Sequence, residues 1–505
     1  MLASGPNGPE EHLGIWVLST LTGEIRKLVD DGWLAAFSPD ARQVAYITGS
    51  NDEIWVTGSK GEDAHVVARA GPGLLFSDLA WSPDGQRFAC IKGAAANTIE
   101  TVIEVRDLHG TAPAAVVVHP RIGALTWAPD GRLIYAQAEA PPNQDASGVW
   151  ELRLDPRTAR PVGEPRPVSR WLSQFVMSIS VSADGRRIAV TKARLQSNVF
   201  VGQLSASDGG LTNVRPLTQD DRVNWPSGWT SDGRSVFFHS DRNGDFDLFR
   251  QGLSERIAQP LLLGAGDARA ARISPDGQWM LYLSWVGPDA RTGATRVRLM
   301  RMPVAGGAPS SILETEADWG RGESAMSAGD GNWTYPNYRC PEIAGAPCVI
   351  GEAKDRQTVF TAFDPVAGRK GEVARVEKPA ESLAWDLSRD GSRLAYIASG
   401  MGPAKSVIVL TLADKTARVI PFKGWSGPTA IAWSPNGNGF FIVNMAVRGG
   451  TLLDVDLTGR VRVLRDLVGK GLFLASPRPS ADGRYLAFGQ GTGGSNTWIL
   501  EARQP

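Results

Sequence analysis

The chain has 505 residues, 42% of them hydrophobic and 21% charged, proportions that are ordinary for a soluble globular protein. Lys plus Arg and Asp plus Glu number 53 each, and the resulting net charge of zero argues against a surface built for nucleic acid. No apolar run is long enough for a transmembrane helix, and the polar start lacks the features of a secretory signal. The protein is therefore expected to be cytoplasmic, or to be the soluble part of something longer.

A phrase recurs along the chain: a hydrophobic residue, Ser-Pro-Asp-Gly and a short apolar strand, as in Trp81-Ser82-Pro83-Asp84-Gly85. Successive copies are 44, 46, 54, 48, 44, 114, 46 and 46 residues apart. A period in the forties indicates a stacked repeat architecture. The Asp of the phrase, or once an Asn, stands at Asp40, Asp84, Asp130, Asp184, Asp232, Asp276, Asp390, Asn436 and Asp482.

Each copy predicts a hairpin. Pro and Asp suit the two central positions of a type I turn, and the Gly accepts the positive φ that closes it. Apolar residues at the fourth, fifth and sixth positions after the Asp predict a strand covered on both faces. A second hairpin usually follows, so each unit holds about four short antiparallel strands, as in a propeller blade.

The predicted organisation follows these units in chain order. A disordered lead over residues 1–13 precedes six blades with closing strands over 14–318. Residues 319–380 form a degenerate blade that contains Cys340 and Cys348, and residues 381–505 form three more blades. The sequence therefore predicts an all-β propeller of about ten four-stranded units. Propellers typically have four to eight blades, which favours two rings over one large ring.

The two ends of the chain suggest how the structure closes. Residues 14–19 and 24–29 resemble the outer two strands of a blade, whereas the unit built from 485–488 and 497–500 lacks its last strand. Because closure removes exposed strand edges, we expect the N-terminal strands to complete the C-terminal blade.

Three cysteines are few. Cys90 lies in an apolar strand and is expected to be a small core residue. Cys340 and Cys348 lie in a segment that contains Pro and Gly. A local disulfide in an oxidising compartment and two free thiols both fit that spacing.

Catalytic motifs are absent from the sequence. Gly424-Trp425-Ser426-Gly427 has the wrong spacing for a hydrolase nucleophile elbow. The loop from Asp241 to Asp247 resembles a calcium loop, but its Gly is displaced and no distal Glu completes it, so a hairpin turn is the plainer interpretation. The histidines are scattered without metal-ligand spacing, with His239 expected to be structural or exposed; they are His12, His65, His109, His119 and His239.

Aromatic residues fall into two groups. Those that recur before the turns are expected to pack between blades; they are Trp81, Trp127, Trp229 and Trp433. Those of the degenerate unit are candidates for an exposed contact surface; they are Trp319, Trp333, Tyr335 and Tyr338. We therefore predict no catalytic, cofactor-binding or metal-binding residue.

The Ser-Pro-Asp-Gly turns, together with the hairpin over 240–249, resemble the TolB-like propeller repeat over nearly the whole chain. Segments 150–156, 360–365 and 495–500 are similar to propeller modules of bacterial, notably acidobacterial, multidomain regulators. In those proteins the propeller follows a serine/threonine kinase or a winged-helix domain. The resemblance implies a sensory or binding module for a protein or small ligand, periplasmic if its regulator is membrane-anchored and cytoplasmic otherwise. The alternative is a propeller hydrolase or lyase with an unrecognised active site.

Overall fold

The computed structural model is all-β, and its described part contains no helix long and apolar enough to cross a bilayer. It describes residues 1–6, 13–71, 74–94, 101–108, 114–119, 122–138, 147–171, 175–205, 209–243, 245–264, 266–288, 295–316, 337–354, 357–377, 382–399, 406–421, 424–425, 427–446, 449–470 and 472–501.

The first part of the chain alternates short strands with tight turns. Its strands are β1 (Leu2–Pro6), β2 (Leu13–Leu18), β3 (Ile25–Val29), β4 (Leu34–Phe37), β5 (Gln43–Ile47), β6 (Glu53–Gly58), β7 (His65–Arg69), β8 (Leu74–Trp81), β9 (Arg87–Ala94), β10 (Thr101–Asp107), β11 (Ala114–His119), β12 (Ile122–Trp127), β13 (Arg132–Ala138), β14 (Ser147–Arg153), β15 (Arg166–Trp171), β16 (Phe175–Val181) and β17 (Arg187–Leu204).

The same alternation continues to the end of the chain. The remaining strands are β18 (Leu211–Pro216), β19 (Asn224–Trp229), β20 (Ser235–Asn243), β21 (Asp245–Gly252), β22 (Gln259–Leu262), β23 (Ala268–Ile273), β24 (Trp279–Pro288), β25 (Thr295–Pro303), β26 (Ser310–Glu316), β27 (Asn337–Arg339), β28 (Cys348–Lys354), β29 (Gln357–Asp364), β30 (Gly368–Glu377), β31 (Ser382–Leu387), β32 (Arg393–Ser399), β33 (Ser406–Thr411), β34 (Ala417–Pro421), β35 (Pro428–Trp433), β36 (Gly439–Ala446), β37 (Gly449–Asp456), β38 (Val461–Asp466), β39 (Leu472–Pro479) and β40 (Tyr485–Glu501).

These strands form ten antiparallel sheets among the described residues, most of them four-stranded, which confirms the predicted fold class. The chain divides into two compact units, one made of residues 1–194 and 494–505 and the other of residues 195–493. The long strands β17 and β40 each supply residues to both units. The second unit is thus inserted into the sequence of the first.

The described residues of the first unit form five sheets. Three are the four-stranded sheets β4–β7, β8–β11 and β12–β15, one is β1–β2–β3, and one joins β16 to the unit's own portions of β17 and β40. Neighbouring sheets pack through their first strands, from β1 to β4, β8, β12 and β16. The strands behind them are buried on both faces, as Phe88, Ala89, Cys90 and Ile91 show with 0% exposure.

The second unit is a six-bladed propeller. Its blades are β19–β22, β23–β26, β27–β30, β31–β34, β35–β38 and a last blade in the order β39, β40, β17, β18. The first strands meet their neighbours around the ring, because β39 packs on both β35 and β19. Tyr338 of β27 donates to the carbonyl of Ala270 in β23 at 2.6 Å, and Arg339 of β27 pairs with Asp386 of β31.

The strands that complete the C-terminal blade are not those that the sequence predicts. Residues 14–18 and 25–29 pair with each other and with β1, which lies in the segment expected to be a disordered lead. The blade of β39 and β40 is completed instead by β17 and β18. The physical reason is that the second unit begins at Leu195, so its own first strands supply the edge its last blade lacks.

The repeated turns that have a Ser or Thr two positions before the Asp share the same hydrogen bonds. The Ser82 hydroxyl donates to Oδ1 of Asp84 at 2.6 Å, the Gln86 amide donates to the same oxygen at 3.0 Å, and Gly85 has a φ of 69°. These bonds satisfy groups that the reversal of the chain would leave unpaired. The turn carboxylates are therefore engaged in the architecture.

The recurring tryptophans connect neighbouring blades, as expected. Trp81 donates from Nε1 to the carbonyl of Ala36 at 3.0 Å, and Trp229 donates to the carbonyl of Arg478 at 2.8 Å. In each case the acceptor lies on the first strand of the preceding blade. The bond adds direction to what is otherwise apolar packing.

The degenerate blade is a regular four-stranded sheet, β27–β30, closed by a disulfide between Cys340 and Cys348. Tyr338, expected on an exposed contact surface, is instead buried, since its hydroxyl donates to the carbonyls of Ala270 and Leu281. Its expected companions Trp319, Trp333 and Tyr335 lie outside the described residues.

The turn aspartates make the fold sensitive to acid. The hydrogen bond from the Ser388 hydroxyl, and then the amide and hydroxyl of Ser392, hold the pKa of Asp390 at about 2, below its ordinary 3.8. Because the folded pKa is depressed, this carboxylate stabilises the fold above pH 4. That stabilisation disappears as the pH falls towards 2. We expect the melting temperature of Asp390→Asn to fall less than that of wild type between pH 4 and pH 2. The difference should correspond to about 1 kcal/mol or less of unfolding free energy, because the group is exposed.

Asn436 offers the matched control, because it occupies the same turn position and accepts from Ser434 and Asn438 at 2.9 Å. The reverse change, Asn436→Asp, is expected to steepen the same dependence. Identical pH profiles for wild type and both variants would contradict this account of the turns.

The disulfide determines which cysteines can react with an alkylating reagent. Alkylation of denatured, unreduced protein from an oxidising compartment should modify Cys90 alone, and all three cysteines should react after reduction. Cys340→Ser should destabilise the fold by about 2–3 kcal/mol, because the bond closes a short loop in the unfolded chain. Cys90→Ala provides a control without loss of the bond. Three reactive thiols before reduction would disprove the pairing.

Candidate functional site

Three arginines meet at the centre of the second unit. Arg272 lies on β23, Arg339 on β27 and Arg478 on β39, each on the first strand of its blade. Burial lowers the pKa of Arg272 and of Arg478, and the charge of Arg339 lowers that of Arg272 further, as the charge of Arg272 does for Arg478. Three positive charges in a largely buried place are costly unless something compensates them.

Arg339 is compensated by a carboxylate. Its Nε donates to Oδ1 of Asp386 at 2.8 Å, and its Nη1 donates to Oδ1 of Asn337 at 2.7 Å and to the Tyr338 carbonyl at 2.9 Å. The side chain is only 3% exposed. The second oxygen of Asp386 accepts from the Trp433 amide at 2.8 Å, so that the pair also joins β31 to β35.

Arg478 is bonded to backbone carbonyls. Its Nε donates to the carbonyl of Ser227 at 3.2 Å, and its Nη1 donates to that of Pro477 at 2.9 Å. Burial, and then the charge of Arg272, lower its pKa well below the ordinary value. These bonds hold the guanidinium in place.

Arg272 differs from both. Its Nε and Nη2 are buried, and no acceptor among the described residues lies within hydrogen-bond distance of either. The residue as a whole is half-buried, next to Gly228 of β19. Burial, and then the charge of Arg339, lower the pKa of Arg272 to about 9, which leaves it positively charged at pH 7.

A serine and a histidine touch nearby. The Ser227 hydroxyl lies 3.3 Å from Nδ1 of His239, and both residues are fully buried. Burial, and then the charges of Arg269 and Arg478, hold the pKa of His239 well below its usual range, so the ring is neutral. Its Nε2 has no hydrogen-bond partner among the described residues, whereas a catalytic base needs an orienting group there. The pair forms part of the packed interior.

Buried charge in the first unit is arranged differently. Glu104 on β10 is paired with both Lys92 and Arg106, the latter at 2.7 Å. Asp78 on β8 accepts from the amides of Leu79 and Leu125 at 2.8 Å, and burial raises its pKa to about 7. Both groups connect strands of the sheets, and neither presents a cluster of one sign.

The other residues considered from the sequence are scattered. Asp247 of the acidic loop accepts from Asn243 at 2.8 Å and from the Gly264 amide at 2.9 Å, and Asp241 accepts from the Val223 amide at 2.8 Å. Among the described residues no group of three or more His, Cys, Asp or Glu could hold a metal ion. Candidates outside the described residues are His12, His109, Gly244 and Ser426.

The arginine cluster was missed in the sequence, although a signal for it exists. The residue four positions before each turn Asp is small in six copies, which have Ala36, Ala80, Thr126, Ser180, Gly228 and Ala432. It is charged in the other three, as Arg272, Asp386 and Arg478. Charge at a position that usually holds a small residue departs from the repeat, and such departures are expected at functional sites.

No protein-family model matches the chain. A curated relative, an uncharacterised protein of Agrobacterium fabrum, is 24% identical over 200 residues. The match covers 39% of this chain and 60% of the relative, so the chain spans less than two thirds of that relative's length.

Solved structures of similar fold include a TolB-type protein from Agrobacterium tumefaciens, 17% identical with a TM-score of 0.41 over 59% of this chain and 98% of that one. TolB from Acinetobacter baumannii is 12% identical with a TM-score of 0.23 over 74% and 78%. A puromycin-hydrolysing peptidase of Mycobacterium tuberculosis is 14% identical with a TM-score of 0.28 over 90% and 58%. Likenesses this distant carry no argument about activity.

Substitutions of two of the central arginines are expected to change the stability of the fold in opposite directions. Arg272→Met should raise the melting temperature, by the equivalent of about 1–3 kcal/mol, because it removes a buried charge and two donors without acceptors. Arg339→Met should lower stability by about 3 kcal/mol, because it leaves the Asp386 carboxylate without its charge partner. Differential scanning fluorimetry of the two variants beside wild type measures both. A change of the same sign in both would contradict this description of the cluster.

Proposed function

We propose that this chain is a non-enzymatic, TolB-like binding module of a bacterial regulatory or envelope system, and that the centre of its six-bladed unit receives a protein or small ligand. The observation that carries the proposal is the cluster of Arg272, Arg339 and Arg478. Buried positive charge lowers stability unless a partner compensates it, and Nε and Nη2 of Arg272 have no hydrogen-bonding partner among the described residues. A residue kept at such a cost is more readily explained by binding than by folding.

The disulfide bears on the compartment in which we propose that this module works. Structural disulfides persist in oxidising surroundings and are rare in the bacterial cytoplasm. The bond between Cys340 and Cys348 therefore favours an extracytoplasmic location. A kinase or winged-helix domain upstream remains part of the proposal through the resemblance of the repeats.

A hydrolase is the second candidate, and the contact between Ser227 and His239 is the observation in its favour. Complete burial of both side chains opposes it, because a substrate carbonyl has to reach the serine oxygen.

A turnover screen separates the two candidates. We expect the purified full chain to leave peptide, ester and glycoside substrates unhydrolysed above the background rate, with and without added divalent metal. Ser227→Ala is the matched variant and should give the same result. Saturable turnover by wild type that Ser227→Ala abolishes would replace the binding module with an enzyme.

A further inference from the structure

Nε and Nη2 of Arg272 lie on the same edge of its guanidinium, so that their N–H bonds run side by side. This pair matches the two oxygens of a carboxylate or the two outer oxygens of a phosphate. Neither nitrogen has an acceptor within reach among the described residues. The same pair of nitrogens is satisfied elsewhere in the protein, where Nε and Nη2 of Arg269 donate to the two oxygens of Asp267 at 2.9 and 2.7 Å.

We propose that the centre of the six-bladed unit binds an oxyanion, carboxylate or phosphate, which accepts both hydrogen bonds of the Arg272 fork. This inference rests on the proposed function and specifies its ligand. A neutral acceptor could satisfy the N–H groups but would leave the charge uncompensated, whereas an oxyanion answers both needs.

The surroundings of Arg272 favour an anion over other ligands. Arg339 and Arg478 add two positive charges, and the carboxylate of Asp386 is already engaged by Arg339. A cation would meet net repulsion here, and an anion would meet attraction that a poorly hydrated interior strengthens.

Access to the fork requires only a side-chain movement. Arg272 is half-buried, and the structure gives it no hydrogen bond or ion pair to a described residue that would hold its present rotamer. Arg339 and Arg478, by contrast, are held by several bonds each. Arg272 can therefore turn towards an entering anion while its neighbours stay fixed, a common extent of change on binding.

The test uses the full chain and three probes: inorganic phosphate, succinate and, as the cation, choline, with ionic strength balanced by sodium chloride. Isothermal titration and thermal shift should show saturable binding of phosphate or succinate and none of choline. Tighter binding of phosphate would indicate a phosphate site, and tighter binding of succinate would indicate a carboxylate site. Arg272→Met should abolish the saturable signal, and Arg272→Lys, which keeps the charge and loses the fork, should weaken it at least about 10-fold.

Arg375→Met is the matched control, because it removes one arginine charge from an exposed pair with Glu372 far from the inner strands. It should bind the anion as wild type does. Equal binding by wild type and Arg272→Met, or no saturable binding of either anion, overturns the inference. Saturable binding of an uncharged peptide without either anion would overturn the oxyanion site and leave the binding module standing. Turnover abolished by Ser227→Ala would instead end the proposed function.

Discussion

The hydrogen bonds that the turn aspartate accepts fix the register between the first two strands of a blade. In three blades this register sets the residue four positions before the Asp opposite the residue five positions after it: Arg272 opposite Leu281, Asp386 opposite Ala395 and Arg478 opposite Ala487. A one-residue slip would exchange the two faces of each strand. Arg272, Asp386 and Arg478 therefore lie at equivalent positions because a polar turn follows each of their strands, whereas Arg339, whose blade lacks the turn phrase, is held by its pair with Asp386.

The close approach of the first strands explains why the arginine cluster lowers the stability of the fold. Small residues at this position let first strands approach closely, as Gly228 does beside Arg272. Large charged residues there have to share a narrow space, in which Arg339 pairs with the carboxylate of Asp386. A sequence selected for stability alone would place apolar residues at these positions, since they replace buried ion pairs at little loss or at a gain. Under the proposed function the arrangement is a case of preorganisation, in which folding places donors and positive charge before a ligand binds.

The sequence predicts those parts of the structure that repeat. Its period gives the number of sheets, and its turn residues give the hairpins, because Pro, Asp and Gly each impose a backbone geometry of their own. A degenerate blade is predicted over residues 319–380 although this unit lacks the turn phrase, and the four-stranded sheet β27–β30 lies there.

The features that were missed arise between repeats and not within them. Any apolar strand can complete a blade, so nothing local distinguishes β2 and β3 from β17 and β18 as the closing pair. The sequence predicts an exposed Tyr338 because its unit lacks the turn phrase that marks a first strand, whereas in the structure two carbonyls satisfy its buried hydroxyl. An arginine such as Arg272 is unremarkable in one copy of the repeat and becomes informative only beside its equivalents.

The insertion of the second unit into the first has a consequence for biosynthesis. A ribosome releases β16 and the first half of β17 long before it makes the portion of β40 that pairs with them, because the entire second unit is translated in between. During that interval one strand edge stands open, which is the condition under which nascent chains aggregate or recruit chaperones. The second unit is continuous in sequence and can close its ring as soon as its last blade emerges, so the host unit is the last part of the protein to mature.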